Sequence, residues 1–114
     1  MITTEEKQNN NNDMFKHLGR PFQEKVVQAL VSDRVWAAGF VDLFEVEKTL
    51  EYVDLKLIAE SHINHFKEYK EFPSVELLAS ILRDKLKADQ DDSIREKVIT
   101  QIKRIVTNKD VGDL

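Results

Sequence analysis

Two histidines and a run of cations are the residues of this chain best placed to do chemistry. His62 and His65 stand three apart in a segment of helical periodicity, so their imidazoles project about 60° apart on neighbouring turns. Such a pair ligates a metal ion when carboxylates from elsewhere complete the site, which makes a metal-dependent helical enzyme one function class to weigh. Carboxylates are abundant, but none falls in an identifiable ligand motif. His62 lies at the centre of an apolar arc and reads as a hydrogen-bonded core or interface histidine, with His65 at the arc's edge, and no metal site is assigned. There is no Gly-rich phosphate loop, no Gly-Lys-Ser/Thr and no G-x-S-x-G, so nucleotide hydrolysis and serine hydrolysis lack their minimum parts. No catalytic or cofactor-binding residue is assigned, and the chain by itself reads as a non-enzyme. The absence of Cys removes disulfides, thiolate nucleophiles and Cys-ligated zinc, in keeping with a reducing compartment.

The cations concentrate near the C-terminus. Between Ser93 and Lys109 stand Arg95, Lys97, Lys103, Arg104 and Lys109 against the single acid Glu96, a local sum of plus 4 in a chain of minus 4, which leaves minus 8 elsewhere. Lys97, Gln101 and Arg104 read as a stripe opposite the apolar face, either a solvated face or a contact for an acidic partner surface or a DNA backbone. Leu57 departs from the pattern of its own helix and projects from the polar face, where a partner or a neighbouring helix would cover it. These four residues, Leu57, Lys97, Gln101 and Arg104, are the candidate partner-binding set. The acidity of the rest of the chain opposes bulk binding of nucleic acid, so DNA contact is expected to be weak or absent.

The elements that must position these residues are helical. Residues 1–18 are polar, with the tract Gln8-Asn9-Asn10-Asn11-Asn12, and read as a disordered tail. Pro21 suits the first turn of a helix that runs to about Ser32, with Phe22, Val26, Ala29 and Leu30 on one face and Glu24, Lys25 and Gln28 pointing away. Asp33 can cap a short helix from Arg34 to about Phe44 that carries Val35, Trp36, Phe40, Leu43 and Phe44 and is weakened by Gly39. From about Leu50 to Glu71 runs the longest periodic segment, with Leu55, Ile58, Ala59, His62, Ile63, Phe66 and Tyr69 in one arc. Phe72-Pro73 ends it, and Ser74 can cap a helix carrying Val75, Leu78, Ile81, Leu82 and Leu86. After the polar stretch Ala88–Asp92, Ser93 and Glu96 form a capping-box pattern. It opens a last helix to about Asn108 whose apolar face is Ile94, Val98, Ile102, Ile105 and Val106. Trp36, Phe40, Phe44, Phe66, Tyr69 and Phe72 supply most of the aromatic area and read as core.

The whole is expected to be an all-α, compact single-domain bundle of about five helices over residues 19–108, with a C-terminal tail at 109–114. At 114 residues, 41% hydrophobic and 33% charged, the chain has room for one modest core. It contains neither a run long enough to span a bilayer nor a signal-peptide pattern, so it is expected in the cytoplasm without membrane contact.

Several segments follow a familiar order. Glu24-Lys25-Val26-Val27-Gln28-Ala29-Leu30 is followed by Asp33 opening a short helix with Trp36, then Val41-Asp42-Leu43-Phe44-Glu45, and above all Lys67-Glu68-Tyr69-Lys70-Glu71-Phe72-Pro73-Ser74-Val75-Glu76-Leu77-Leu78. Across about residues 20 to 107 the chain resembles the N-terminal domain of DnaB-type replicative DNA helicases, most nearly the versions carried by T-even-like phages. It departs at Lys48-Thr49-Leu50, where the family often has an aromatic pair after an acidic residue. The resemblance implies a helical head, followed past this chain's end by a helical hairpin, a linker and a RecA-like ATPase that encircles DNA as a hexamer. ATP and Mg would then belong only to that motor, and no cofactor to this chain. The implied role is a non-catalytic collar that mediates subunit association as a homo-oligomer and docks primase or a helicase loader during DNA replication, in the host cytoplasm if phage-encoded. The alternative is a stand-alone helical adaptor or regulator, such as a primase-derived helicase-binding domain.

Overall fold

The computed structural model describes residues 18–89 and 92–112. Among these the structure is all-helical, in the order α1 (Gly19–Ser32), α2 (Arg34–Phe40), α3 (Val46–Thr49), α4 (Val53–Tyr69), α5 (Val75–Asp89) and α6 (Asp92–Gly112). None of these helices is long and apolar enough to cross a membrane. The polar tail expected at 1–18 lies, but for Leu18, outside the described residues. The final helix runs to Gly112, past the boundary expected at residue 108.

Local chemistry explains most of the boundaries. Gly19 takes φ +83, a conformation that side chains with a Cβ rarely adopt, and starts α1 two residues before Pro21, which sits in the first turn where its missing N–H has no intrahelical role. The Asp33 side chain accepts the Trp36 N–H at 3.0 Å and caps α2, as its position predicts. Instead of continuing to Phe44, α2 ends one residue after Gly39, and Val41 and Phe44 turn into the core while Val35 and Leu43 are left 86% and 74% exposed. The short helix α3 has no counterpart in the sequence reading. A single turn is too short to display a period.

At the other end of α4, Lys70 adopts a left-handed φ of 60 and donates its N–H to the Phe66 carbonyl at 2.7 Å. The helix therefore stops at Tyr69, before proline acts, by a C-terminal αL cap. His65 Nδ1 donates to the Glu71 carbonyl at 2.8 Å, satisfying a main-chain acceptor in the turn. Ser74 Oγ accepts the Leu77 N–H at 3.1 Å and caps α5, as expected. For α6 the start is Asp92, so Ser93 falls inside the first turn rather than at the cap.

The helix α4 is the hub, packing against α1, α3, α5 and α6. Its buried side includes Leu55, Ile58, Ala59, His62 and Ile63. Around it close Val27 and Leu30 of α1, Leu78, Leu82 and Leu86 of α5, and Val98, Ile102 and Ile105 of α6. Burial of this aliphatic set is the main force holding the helices together. The aromatic residues do not all join it. Phe44 and Phe72 are buried and Phe40 and Phe66 partly so, whereas Trp36 and Tyr69 are exposed.

Candidate functional site

The expected stripe on α6 separates into parts with different surroundings. Lys97 and Arg104 line an open polar cleft of about 360 Å³ between the start of α1 and one side of α6, together with Arg20, Glu96, Thr100 and Gln101. Gln101 is not on a solvent stripe, because it is only 3% exposed. At about 100° per residue it flanks the apolar arc, next to Ile94 and Ile105, on the side that faces Arg20. Its Oε1 accepts from Arg20 Nη2 at 3.5 Å.

Arg20 ties three helices together. It donates to both oxygens of Asp54 on α4, at 3.1 and 2.5 Å, and through Nε to Glu24 at 2.8 Å, while its guanidinium lies 4.9 Å from the centre of the Tyr52 ring. Two parallel N–H bonds onto one carboxylate give a strong and directional pair. The Asp54 side chain is 2% exposed. Burial pushes its pKa up, but the hydrogen bond and charge of Arg20 outweigh this and hold the carboxyl below the usual range. In return the hydrogen bond to Asp54 raises the Arg20 pKa, against the cost of burial and with help from Glu24. Arg104 reaches the same Glu24 Oε2 at 3.2 Å. Two of the three cations of this cleft are thus already matched by acids of the same chain, and its chemistry is to join α1, α4 and α6.

Leu57 does not join this cleft. It is partly buried and packs against the hydrophobic core, so the chain itself supplies part of its cover.

The histidine pair is divided in the same way. The His62 ring stacks on Phe72 with centroids 4.8 Å apart, is 1% exposed, and neither ring nitrogen has a protein hydrogen-bond partner. The sequence-based expectation of a hydrogen-bonded interior histidine is corrected to an unbonded, aromatic-stacked one. Burial pushes its pKa down to about 4, against the Leu30 backbone, which favours the charged form, and with the charges of Arg34 and His65 adding to the fall. His65, at the edge of the arc and only partly buried, is bonded to the Glu71 carbonyl and tilted against Tyr69 at 4.6 Å. Among the described residues no three His, Cys, Asp or Glu side chains come together as a metal-holding group.

A second depression, which the sequence reading missed, lies on the opposite side of α6. It is a slot of about 200 Å³ between α5 and α6, with Leu82, Val98 and Ile99 among its apolar lining and Arg83, Arg95 and Lys103 also lining it. Ile99 is 43% exposed, unlike its buried neighbour Val98. The helical period of α6 was the one available signal, since Arg95, Ile99, Ile102 and Lys103 share a face at spacings of three, four and seven.

No protein-family model matches the chain, and neither the curated proteins nor the solved structures contain a match to it.

Proposed function

We propose that the chain is a non-catalytic N-terminal collar and docking domain of a DnaB-type replicative helicase, mediating subunit association and contact with primase or a loader. The observation that carries this reading is the order of sequence features from Glu24 to Leu78, which resembles that family. The resemblance is densest at Lys67–Leu78. There the αL residue Lys70, the buried Phe72 and the cap Ser74 form one built turn between α4 and α5. An all-helical head suits a docking role, because rigid helix faces present side chains in fixed positions.

Two measurements test the proposal. The genomic reading frame beyond Leu114 is expected to continue into a Gly-x-x-x-x-Gly-Lys-Ser/Thr phosphate loop, whereas a frame that closes with no motor favours the stand-alone adaptor. The purified chain is expected to hydrolyse no ATP and to bind single-stranded and duplex DNA negligibly at physiological salt, because its net charge of minus 4 repels phosphates. Metal-dependent ATP turnover by homogeneous chain overturns the collar reading. Tight, salt-sensitive DNA binding that is abolished by Lys97→Glu/Arg104→Glu makes α6 a DNA contact and overturns the protein-docking reading.

A further inference from the structure

We propose that the α5–α6 slot is a docking site for an acidic amphipathic helix of another protein, which places aliphatic side chains against Ile99 and Ala79 and carboxylates against Arg83 and Lys103. This assignment goes beyond the helicase reading and holds with or without it.

The first support is the mismatch between floor and rim. The floor is aliphatic and one of its members, Ile99, is left substantially open, in a void of about 200 Å³. A dry cavity of about 150 Å³ accepts a benzene ring, so the slot has room for branched aliphatic side chains. Around it stand Arg83 from α5 and Arg95 and Lys103 from α6. Their alkyl stems extend the apolar surface, and the charged ends of the exposed Arg83 and Lys103 remain available.

The second support is that this rim is not neutralised from within. Arg95 pairs with Asp92 at 3.3 Å, but neither Arg83 nor Lys103 forms an ion pair among the described residues. Arg20, Arg104, Lys48 and Lys56 do pair with acids of the chain, and Arg83 and Lys103 differ from other unpaired cations such as Lys97 in standing beside an apolar slot. A cationic rim left unmatched in a chain of net charge minus 4 is complementary to an acidic partner, and complementarity of this kind sets specificity and approach rate.

The third support concerns which polyanion fits. A phosphate backbone gains nothing from an aliphatic floor, whereas the aliphatic side chains of a helix are buried by it. An amphipathic helix presents aliphatic anchors at i, i+3 or i+4, and i+7, with flanking charges on either side of that stripe. That is the pattern of floor and rim found between α5 and α6.

The test uses the full chain, isotopically labelled for amide NMR, and two synthetic probes. One is a helix-forming peptide of about 15 residues with leucines at i, i+3, i+4 and i+7 and glutamates flanking them. The other keeps the leucines and carries lysines in place of the glutamates. The glutamate peptide is expected to bind at least about tenfold more tightly than the lysine peptide, to shift the amides of Ala79, Ile99 and Lys103, and to lose that advantage as salt rises. In Arg83→Glu/Lys103→Glu the preference should reverse toward the lysine peptide, and Ile99→Asp should remove binding of both. All three residues are exposed, so thermal melts are expected to stay close to the parent. If the double variant does not fold, the salt dependence of the two peptides on the unaltered chain decides the matter alone. Equal affinity for the two peptides, no binding of the glutamate peptide, shifts confined to Val35, Trp36 and Leu43, or single-stranded DNA displacing the glutamate peptide would each overturn the proposal.

Discussion

On one side of α6, Arg104 meets Glu24 at 3.2 Å and Gln101 receives Arg20. On the other, Arg83 and Lys103 stand beside an apolar slot with no acid paired to either among the described residues. Both sides contribute to the same positive sum in the sequence, yet only one is committed to holding the fold. Arg20 and Arg104 are joined to α4 and α1 through Asp54 and Glu24, so their charge is consumed by packing. What distinguishes a structural cation from an available one is therefore the acid supplied by a different helix, which is a tertiary property. A local charge count cannot express it.

The comparison breaks most severely if the shared core between the two sides is removed. Ile105 is fully buried on α6, so Ile105→Ala should cost about 3–4 kcal/mol in denaturant unfolding. A loss below about 1 kcal/mol would mean that α6 is held by its polar contacts and not by its apolar arc.

Acid should act next, through the interior and not through either side of α6. The folded chain keeps His62 neutral down to about pH 4, while the unfolded chain takes up that proton near pH 6.5. Stability is then full above about pH 6.5, falls as the pH drops, and levels off below about pH 4, for a total on the order of 3 kcal/mol. Urea melts across this range are expected to show the loss. His62→Leu should flatten the curve without weakening the protein at pH 7, because the imidazole makes no protein hydrogen bond. A His62→Leu profile as steep as the parent's would place the pH sensitivity elsewhere. The Arg20–Asp54 pair fails only in stronger acid, since the folded-state pKa of Asp54 lies below its usual value.

The smallest effects distinguish the two sides directly. Asp54→Asn leaves the partly buried Arg20 without its carboxylate and should cost about 2 kcal/mol, whereas Lys103→Ala should change stability by no more than about 0.5 kcal/mol. Equal costs in thermal melts would show that the two sides are not specialised in this way.

Several parts of this arrangement are legible in the sequence. The apolar arc of α4 from Leu55 to Ile63 and the caps at Asp33 and Ser74 follow from period and residue type alone. The glutamines were the main obstacle. Gln101 is buried at the edge of the apolar arc of α6, and Gln23 is fully buried in α1, where its Oε1 accepts the Glu51 N–H at 3.0 Å. Reading a polar residue as solvent-facing rotates the inferred face away from the observed one, which is why Val27 and Val31 are buried while Phe22 and Ala29 are only partly covered. Gln28, expected to point away, instead donates to the Ile105 carbonyl at 3.0 Å. The α5–α6 slot was hidden for another reason. Arg83 and Lys103 lie on different helices, and no periodicity within one helix brings them together.

That glutamine bond also bears on how the chain is made. The amide of Gln28 and the carbonyl of Ile105 are 77 positions apart, and Glu24 waits across 80 for Arg104. By contrast Phe72 stacks on His62 and Phe66, both within its own neighbourhood of the chain, at 4.8 and 4.2 Å. During synthesis from the N-terminus the aromatic turn has all of its parts as soon as residue 72 is free to move, while α1 can complete its polar contacts only after most of α6 has been made. Until then the polar groups of α1 that α6 will engage must be served by water or by a temporary substitute.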